Sequence, residues 1–150
     1  LLFLSNSYIA ADKIDVAIDA FKTGVEKDPQ NKFYRYNYGV LLLGANEYQK
    51  STDQFKAALE IDPDYENAIY NMAVAYVKWG AILGKEADDK GVESDESKAK
   101  YREALPYLEK YVGIKTDDIA VWELLGKVYS VIGMIDDAQK AFDKADALRK

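Results

Sequence analysis

Apolar residues along the chain recur at spacings of three and four, in paired blocks that are each about one helix long. Gly or polar residues separate the blocks, and the segments "DPQN" and "DPDYEN" place a proline where a helix would otherwise continue. The last pair is the clearest, with Trp122, Leu125 and Tyr129 in its first block and Ala138 and Phe142 in its second. This pattern predicts an all-α protein built of helical hairpins.

The paired blocks repeat with a fixed period. Phe21 and Phe55 are 34 positions apart, and so are Pro29 and Pro63. Between Phe55 and Leu108 the distance is 53, which is 19 residues more than the period. A fixed period of this length is typical of stacked repeats, and one insertion accounts for the longer interval.

The shared residues resemble the tetratricopeptide repeat, whose pattern is W-x2-L-G-x2-Y, then A-x3-F and a closing proline. The last hairpin matches this pattern at every position before the chain stops. The resemblance covers the whole chain as four repeats: residues 1–31, 32–65, 66–118 with an insertion at about 81–99, and 119–150. It implies one domain over 1–150, a right-handed superhelix (solenoid) of about four hairpins, with the third hairpin elongated by the 19-residue insertion.

The insertion, "AILGKEADDKGVESDESKA", falls between the two helices of the third hairpin. Helical spacing continues the first helix into it, Gly91 lies near the predicted tip, and Ser94 or Ser97 is predicted to cap the second helix. A calcium site is disfavoured, because Lys90 and Ser97 stand where an EF-hand loop needs acidic ligands. Two interpretations stay open, a solvated spacer and an arm that contacts a partner.

Composition narrows the functional classes. The 150 residues contain no Cys and no His, which removes disulfides, the usual zinc sites and imidazole bases. The net charge of −6 argues against nucleic-acid binding, which depends on a basic surface. "GAILGKE" departs from a phosphate-binding loop in its glycine spacing and in having Glu86 where Ser or Thr is needed. We therefore predict a protein that is not an enzyme and that has no cofactor or metal.

Nothing in the sequence predicts a membrane span, because no stretch approaches about 20 consecutive apolar residues. The opening "LLFLSNSYIAADK" has an apolar run too short for a signal peptide, so we predict a helix there. The chain begins without Met, which fits an excised piece of a longer protein. The long insertion followed by "ALPYLEK" is similar to bacterial tetratricopeptide proteins, some of them exported, which favours a bacterial origin and leaves cytoplasm and periplasm both open.

The resemblance also implies a binding surface, because in tetratricopeptide domains the first helix of each repeat lines a concave groove that holds an extended peptide. By register, the predicted groove residues are Asn6, Tyr36, Asn37, Asn67, Tyr70, Asn71, Lys78 and Lys127. Asn37 and Asn71 are equivalent and resemble an amide ladder that holds a peptide main chain. The alternative is that these two amides cap or solvate their own helices. The basic residues of the family's carboxylate clamp are missing, so we do not expect recognition of a chaperone C-terminus. Outside the insertion the first helices carry more basic than acidic residues, and we therefore expect a neutral or mildly acidic peptide.

We predict a noncatalytic protein–protein interaction scaffold that binds an extended peptide or a partner helix in this groove. One alternative is self-assembly into a homo-oligomer through the C-terminal helix, where Ala141, Ala145 and Leu148 are expected to form an uncovered apolar stripe. The other is a regulatory or assembly segment of a larger protein. The sequence does not identify the partner.

Overall fold

The computed structural model describes residues 13–150, which form helices and no strand. The helices are α1 (Ile14–Lys27), α2 (Lys32–Gly44), α3 (Tyr48–Ile61), α4 (Glu66–Asp89), α5 (Asp95–Ile114), α6 (Ile119–Val131) and α7 (Ile135–Arg149). None of these seven combines the length and hydropathy needed to cross a membrane. The helices belong to two compact units, unit 1 ending at Asn71 and unit 2 running from Met72 to Lys150. The helix predicted at the start of the chain lies outside the described residues, and the single domain over 1–150 stays a prediction.

Side-chain caps fix the starts of three helices. Asn31 Oδ1 accepts a hydrogen bond from Phe33 N at 3.0 Å, which begins α2 directly after the "DPQ" turn. Ser94 Oγ accepts from Ser97 N at 3.0 Å, so Ser94 is the cap of α5. Asp118 caps α6 in the same way. These caps satisfy N–H groups that have no partner inside the helix.

Each hairpin turn contains one residue with a left-handed backbone, and these are Asn46, Gly91 and Gly133. The next residue donates its N–H to a carbonyl five positions earlier, as Glu47 to Leu42, Val92 to Ala87 and Met134 to Tyr129. This is the hydrogen bond of a Schellman motif, which ends a helix and reverses the chain. Glycine or asparagine is favoured at the turn because a left-handed backbone is strained for most side chains.

Unit 1 packs α1, α2 and α3 around aromatic rings. Ala17 and Phe21 of α1 form a buried cluster with Leu41 of α2. Phe55 of α3 is fully buried, and its ring lies where a side chain on Gly39 of α2 would be. The small residue therefore lets the two helices of the hairpin approach, as the repeat pattern predicts.

The two longest helices of the described chain are α4 with 24 residues, most of them in unit 2, and α5 with 20, all in unit 2. Their outer halves pack on each other, because Ser97 Oγ donates to Gly80 O at 2.6 Å and Tyr101 lies against Gly80. The part of this hairpin from Gly80 to Tyr101 is called the arm below. The arm is a packed helical hairpin, and its origin as an insertion stays a prediction.

The predicted apolar stripe on the last helix is wrong for two of its three residues. Ala141 and Ala145 are 3% and 1% exposed, because α7 packs along α6 and buries this face. Leu148 is half-buried. Little exposed apolar surface on α7 is therefore available for self-association.

Candidate protein-binding surface

Two tyrosines and two asparagines lie together on unit 1, and we call them the tyrosine–amide cluster. Tyr36 belongs to α2, Tyr65 precedes α4, and Asn67 and Asn71 lie in the first turns of α4. The ring centroids of Tyr36 and Tyr65 are 5.2 Å apart with an angle of 56° between the planes. Tyr36 is also 6.0 Å from the buried ring of Phe55, so the core holds the cluster in place.

The hydrogen bonds of Asn71 fix the orientation of its amide. Asn71 Nδ2 donates to the hydroxyl of Tyr36 and to Asn67 O, both at 3.0 Å. The second partner is a carbonyl that can only accept, so the nitrogen must face it and both amide hydrogens are used. Within residues 13–150, Asn71 Oδ1 accepts no hydrogen bond and the Tyr36 hydroxyl donates none. The cluster therefore offers one acceptor and one donor side by side.

Both tyrosine hydroxyls are protonated at neutral pH, and their surroundings favour this form further. Burial raises the pKa of Tyr36 above its usual value, and the hydrogen bond from Asn71 opposes this only in part. Burial raises the pKa of Tyr65 to about 12, with the nearby Tyr36 and Asp62 adding to the increase and a hydrogen bond with Asn67 opposing it. Both groups remain hydrogen-bond donors across the physiological range.

Aromatic surface extends from the cluster to the start of α2. The ring of Phe33 is 52% exposed and meets Tyr65 edge to face, with centroids 5.9 Å apart. Lys32 forms an ion pair with Asp62, and Lys32 Nζ lies 5.4 Å from the ring centroid of Phe33 and 5.1 Å from that of Tyr65. The charge of Lys32 is thus balanced locally, while the exposed ring can pack against a partner's apolar side chains.

Asn37 and Asn71 make the same hydrogen bond to their own helix and differ in exposure. Asn37 Nδ2 donates to Phe33 O, four residues earlier, at 2.7 Å, just as Asn71 donates to Asn67 O. Asn37 is only 6% exposed, whereas Asn71 is half-buried and Asn67 is exposed. The Asn37 amide therefore stabilises its own helix and presents almost no surface to a partner.

The other predicted groove residues divide between the two units. Tyr70 is half-buried in the unit 1 part of α4. Lys78 and Lys127 are exposed in unit 2, and neither forms an ion pair with another described residue. Asn6 lies outside the described residues. Tyr65 was not predicted, because its equivalent one period earlier is Asn31, so comparing repeats gave no aromatic signal.

No group of three or more His, Cys, Asp or Glu side chains within residues 13–150 is arranged to hold a metal ion. The absence of a cofactor and of catalysis stays a prediction.

Comparison with known proteins agrees with the helical hairpins. The tetratricopeptide repeat family model matches residues 34–65, nearly the whole of the predicted second repeat. A TPR repeat-containing protein of Methanocaldococcus jannaschii is 24% identical over 93% of this chain and 27% of its own length. The photosystem I assembly protein Ycf3 of Rippkaea orientalis is 26% identical over 68% of this chain and 56% of its own length. The chain thus spans about half or less of these two relatives.

A solved structure shares the fold. MamA from Desulfovibrio magneticus RS-1 superimposes with a TM-score of 0.78 over 97% of this chain and 71% of that one, at 21% sequence identity. At this identity the likeness concerns the fold alone. The all-α tetratricopeptide solenoid class predicted from the sequence is therefore confirmed. The family match thus covers one of the four predicted repeats, and the chain is similar in fold to solved structures of tetratricopeptide repeat proteins.

Proposed function

We propose that this protein is a noncatalytic interaction module that holds an extended segment of a partner protein against the tyrosine–amide cluster of unit 1. Tetratricopeptide repeat proteins generally mediate protein–protein interactions and assembly. One relative is named as an assembly protein, which is in line with such a role. The observation that carries the proposal is the donor and acceptor that the cluster leaves side by side.

This pair matches the polar groups of a peptide backbone. In an extended chain, the N–H and C=O of one residue point to the same side, as they do in a β-ladder. The Tyr36 hydroxyl would donate to that C=O, and Asn71 Oδ1 would accept from that N–H. Because Asn71 is held by Tyr36 and Asn67, little side-chain freedom is lost on binding.

Main-chain contacts tolerate many sequences, so selectivity requires side-chain contacts. The exposed ring of Phe33 and the half-buried rings of Tyr65 and Tyr70 supply rigid apolar area for them. Lys78 and Lys127 of unit 2 remain groove residues predicted by register only. A segment with an aromatic or aliphatic anchor fits the rings of unit 1.

A selection from a library of displayed random peptides tests this function. Wild-type protein should enrich a shared motif, and Asn71→Ala should lose it. Asn71→Asp keeps the size of the side chain and removes the donor to Tyr36, so it separates amide chemistry from packing. Ile114→Ser, a change at an exposed residue of unit 2, is the control and should keep the motif. No enrichment on wild-type protein with a native helical spectrum contradicts the proposal.

A further inference from the structure

The hairpin turns of unit 2 expose apolar side chains where the turn of unit 1 is charged. The residue after the left-handed position is Glu47 in the α2–α3 turn, Val92 in the α4–α5 turn and Met134 in the α6–α7 turn. Val92 is 56% and Met134 40% exposed, and Ile135, which follows, is 63% exposed. Each of these turns therefore offers exposed apolar surface to a partner.

A cavity lies between the arm and the end of α6. It is lined by Gly84, Ala87 and Ser97 of the arm and by Val131, which is 44% exposed, and we call it the arm notch. Its volume is about 210 Å³. Small-molecule sites usually occupy roughly 300–1,000 Å³, so the arm notch suits one large side chain. A Cβ on Gly84 would lie 3.0 Å from Ser97 Oγ, so a larger residue would crowd this part of the lining.

The rim of the arm notch is acidic. Asp88, Glu93 and Lys98 line it, and the last two form a salt bridge at 3.9 Å. Asp88 has no ion pair within the described residues, and the same holds for Asp136 beside the α6–α7 turn. Residues 84–98 contain six Asp or Glu and three Lys. Acidic side chains outnumber basic ones on this part of the arm, so the field over the cavity is negative.

We infer that the arm notch is a docking site for a basic protein segment, one that inserts a large apolar side chain beside Val131 and places Lys or Arg against Asp88. An apolar anchor surrounded by a polar rim is a common arrangement in protein interfaces. A second copy of this chain fits less well, because its net charge of −6 opposes an acidic rim. The site belongs to unit 2 and stands independently of the tyrosine–amide cluster.

Three short synthetic peptides on one frame test this inference. The first has a central Phe flanked by lysines, the second has the same Phe flanked by glutamates, and the third keeps the lysines and replaces Phe with Ser. Methyl NMR of Val131, Met134 and Ile135 reports binding during titration. We expect the lysine–Phe peptide to shift these methyls, with an affinity that falls as salt is added, and the other two to bind about tenfold more weakly or less.

Matched variants locate the site. Val131→Ser should weaken the lysine–Phe peptide about tenfold, whereas Ile114→Ser, a control of similar exposure, should not. Asp88→Lys should reverse the charge preference toward the glutamate peptide, and Asp117→Lys should leave it unchanged. Asn71→Ala should have no effect, which distinguishes this site from the tyrosine–amide cluster.

Three outcomes would overturn the inference. They are equal binding of the lysine and glutamate peptides, absence of methyl shifts at any concentration, and equal losses in Val131→Ser and Ile114→Ser. A dimer in analytical ultracentrifugation that Val131→Ser dissociates would assign the surface to a second copy instead.

Discussion

The ring of Phe55 occupies the space that a side chain on Gly39 would need, since a Cβ built on Gly39 would lie 2.7 Å from Phe55 Cε1. Gly126 and Phe142 repeat this relationship in unit 2, with the same distance. Ser51 strengthens the first contact by donating from Oγ to Gly39 O at 2.7 Å. The glycine and the aromatic residue of the repeat pattern are therefore the positions at which two helices approach closely.

Gly39→Ala should destabilise unit 1, because the added methyl group forces a fully buried ring to move. We expect a loss of about 1–3 kcal/mol in the free energy of unfolding, measured by urea denaturation. Gly113→Ala is the matched control, because a Cβ at that helical position meets nothing within 4 Å. It should be neutral or stabilise by up to about 1 kcal/mol through helix propensity. Equal effects of the two substitutions would show that the Phe55 contact is unimportant.

Ser97→Ala should loosen the arm. Ser97 Oγ donates to Gly80 O at 2.6 Å, in the same way that Ser51 donates to Gly39 O, and both serines are buried. Each substitution should cost about 1 kcal/mol, since it leaves a buried carbonyl without this partner. Hydrogen exchange should rise in the arm for Ser97→Ala and in α2–α3 for Ser51→Ala. Unchanged exchange in the arm would contradict the packing described here.

Stability should fall at alkaline pH because of Tyr65. Its pKa is raised by folding from 10.0 to about 12, so between these values the unfolded state releases a proton that the folded state retains. The stabilising contribution is fully present below pH 10 and is lost as pH rises through about 12. Urea midpoints measured through this window should decline less in Tyr65→Phe than in wild-type protein. The control Tyr38→Phe, which leaves Tyr65 in place, should keep the decline.

The sequence predicted the hairpins and their contacts because these depend on residue size at fixed spacing. Gly39 and Phe55, on the two helices of one hairpin, are such a case. The contact in the arm repeats the same small-and-large pairing seven residues further along the helices. Ser97 and Tyr101 precede Ala104 and Leu108 by seven residues. Gly80 likewise follows Ala73 by seven, so this contact was recognisable in the spacing.

The candidate site was predictable only in part. The repeat register makes Asn37 and Asn71 equivalent, and the side-chain amide of each donates to the carbonyl four residues earlier. Their exposure differs because it depends on how neighbouring helices cover each position, which a repeat position does not encode. Tyr65 enters the cluster from a turn, where repeats share little sequence. The free acceptor of Asn71 required knowledge of which atoms Tyr36 and Asn67 already occupy.

The dissociation constant of a library-selected peptide, measured for Tyr36→Phe and for Tyr38→Phe, tests the central claim most directly. Both changes remove one hydroxyl from a half-buried tyrosine of α2, and only Tyr36 is placed to donate to a peptide carbonyl. Loss of one hydrogen bond should weaken binding to Tyr36→Phe by about three- to tenfold and leave Tyr38→Phe at the wild-type value. Equal affinities for the two variants would contradict main-chain recognition by the tyrosine–amide cluster.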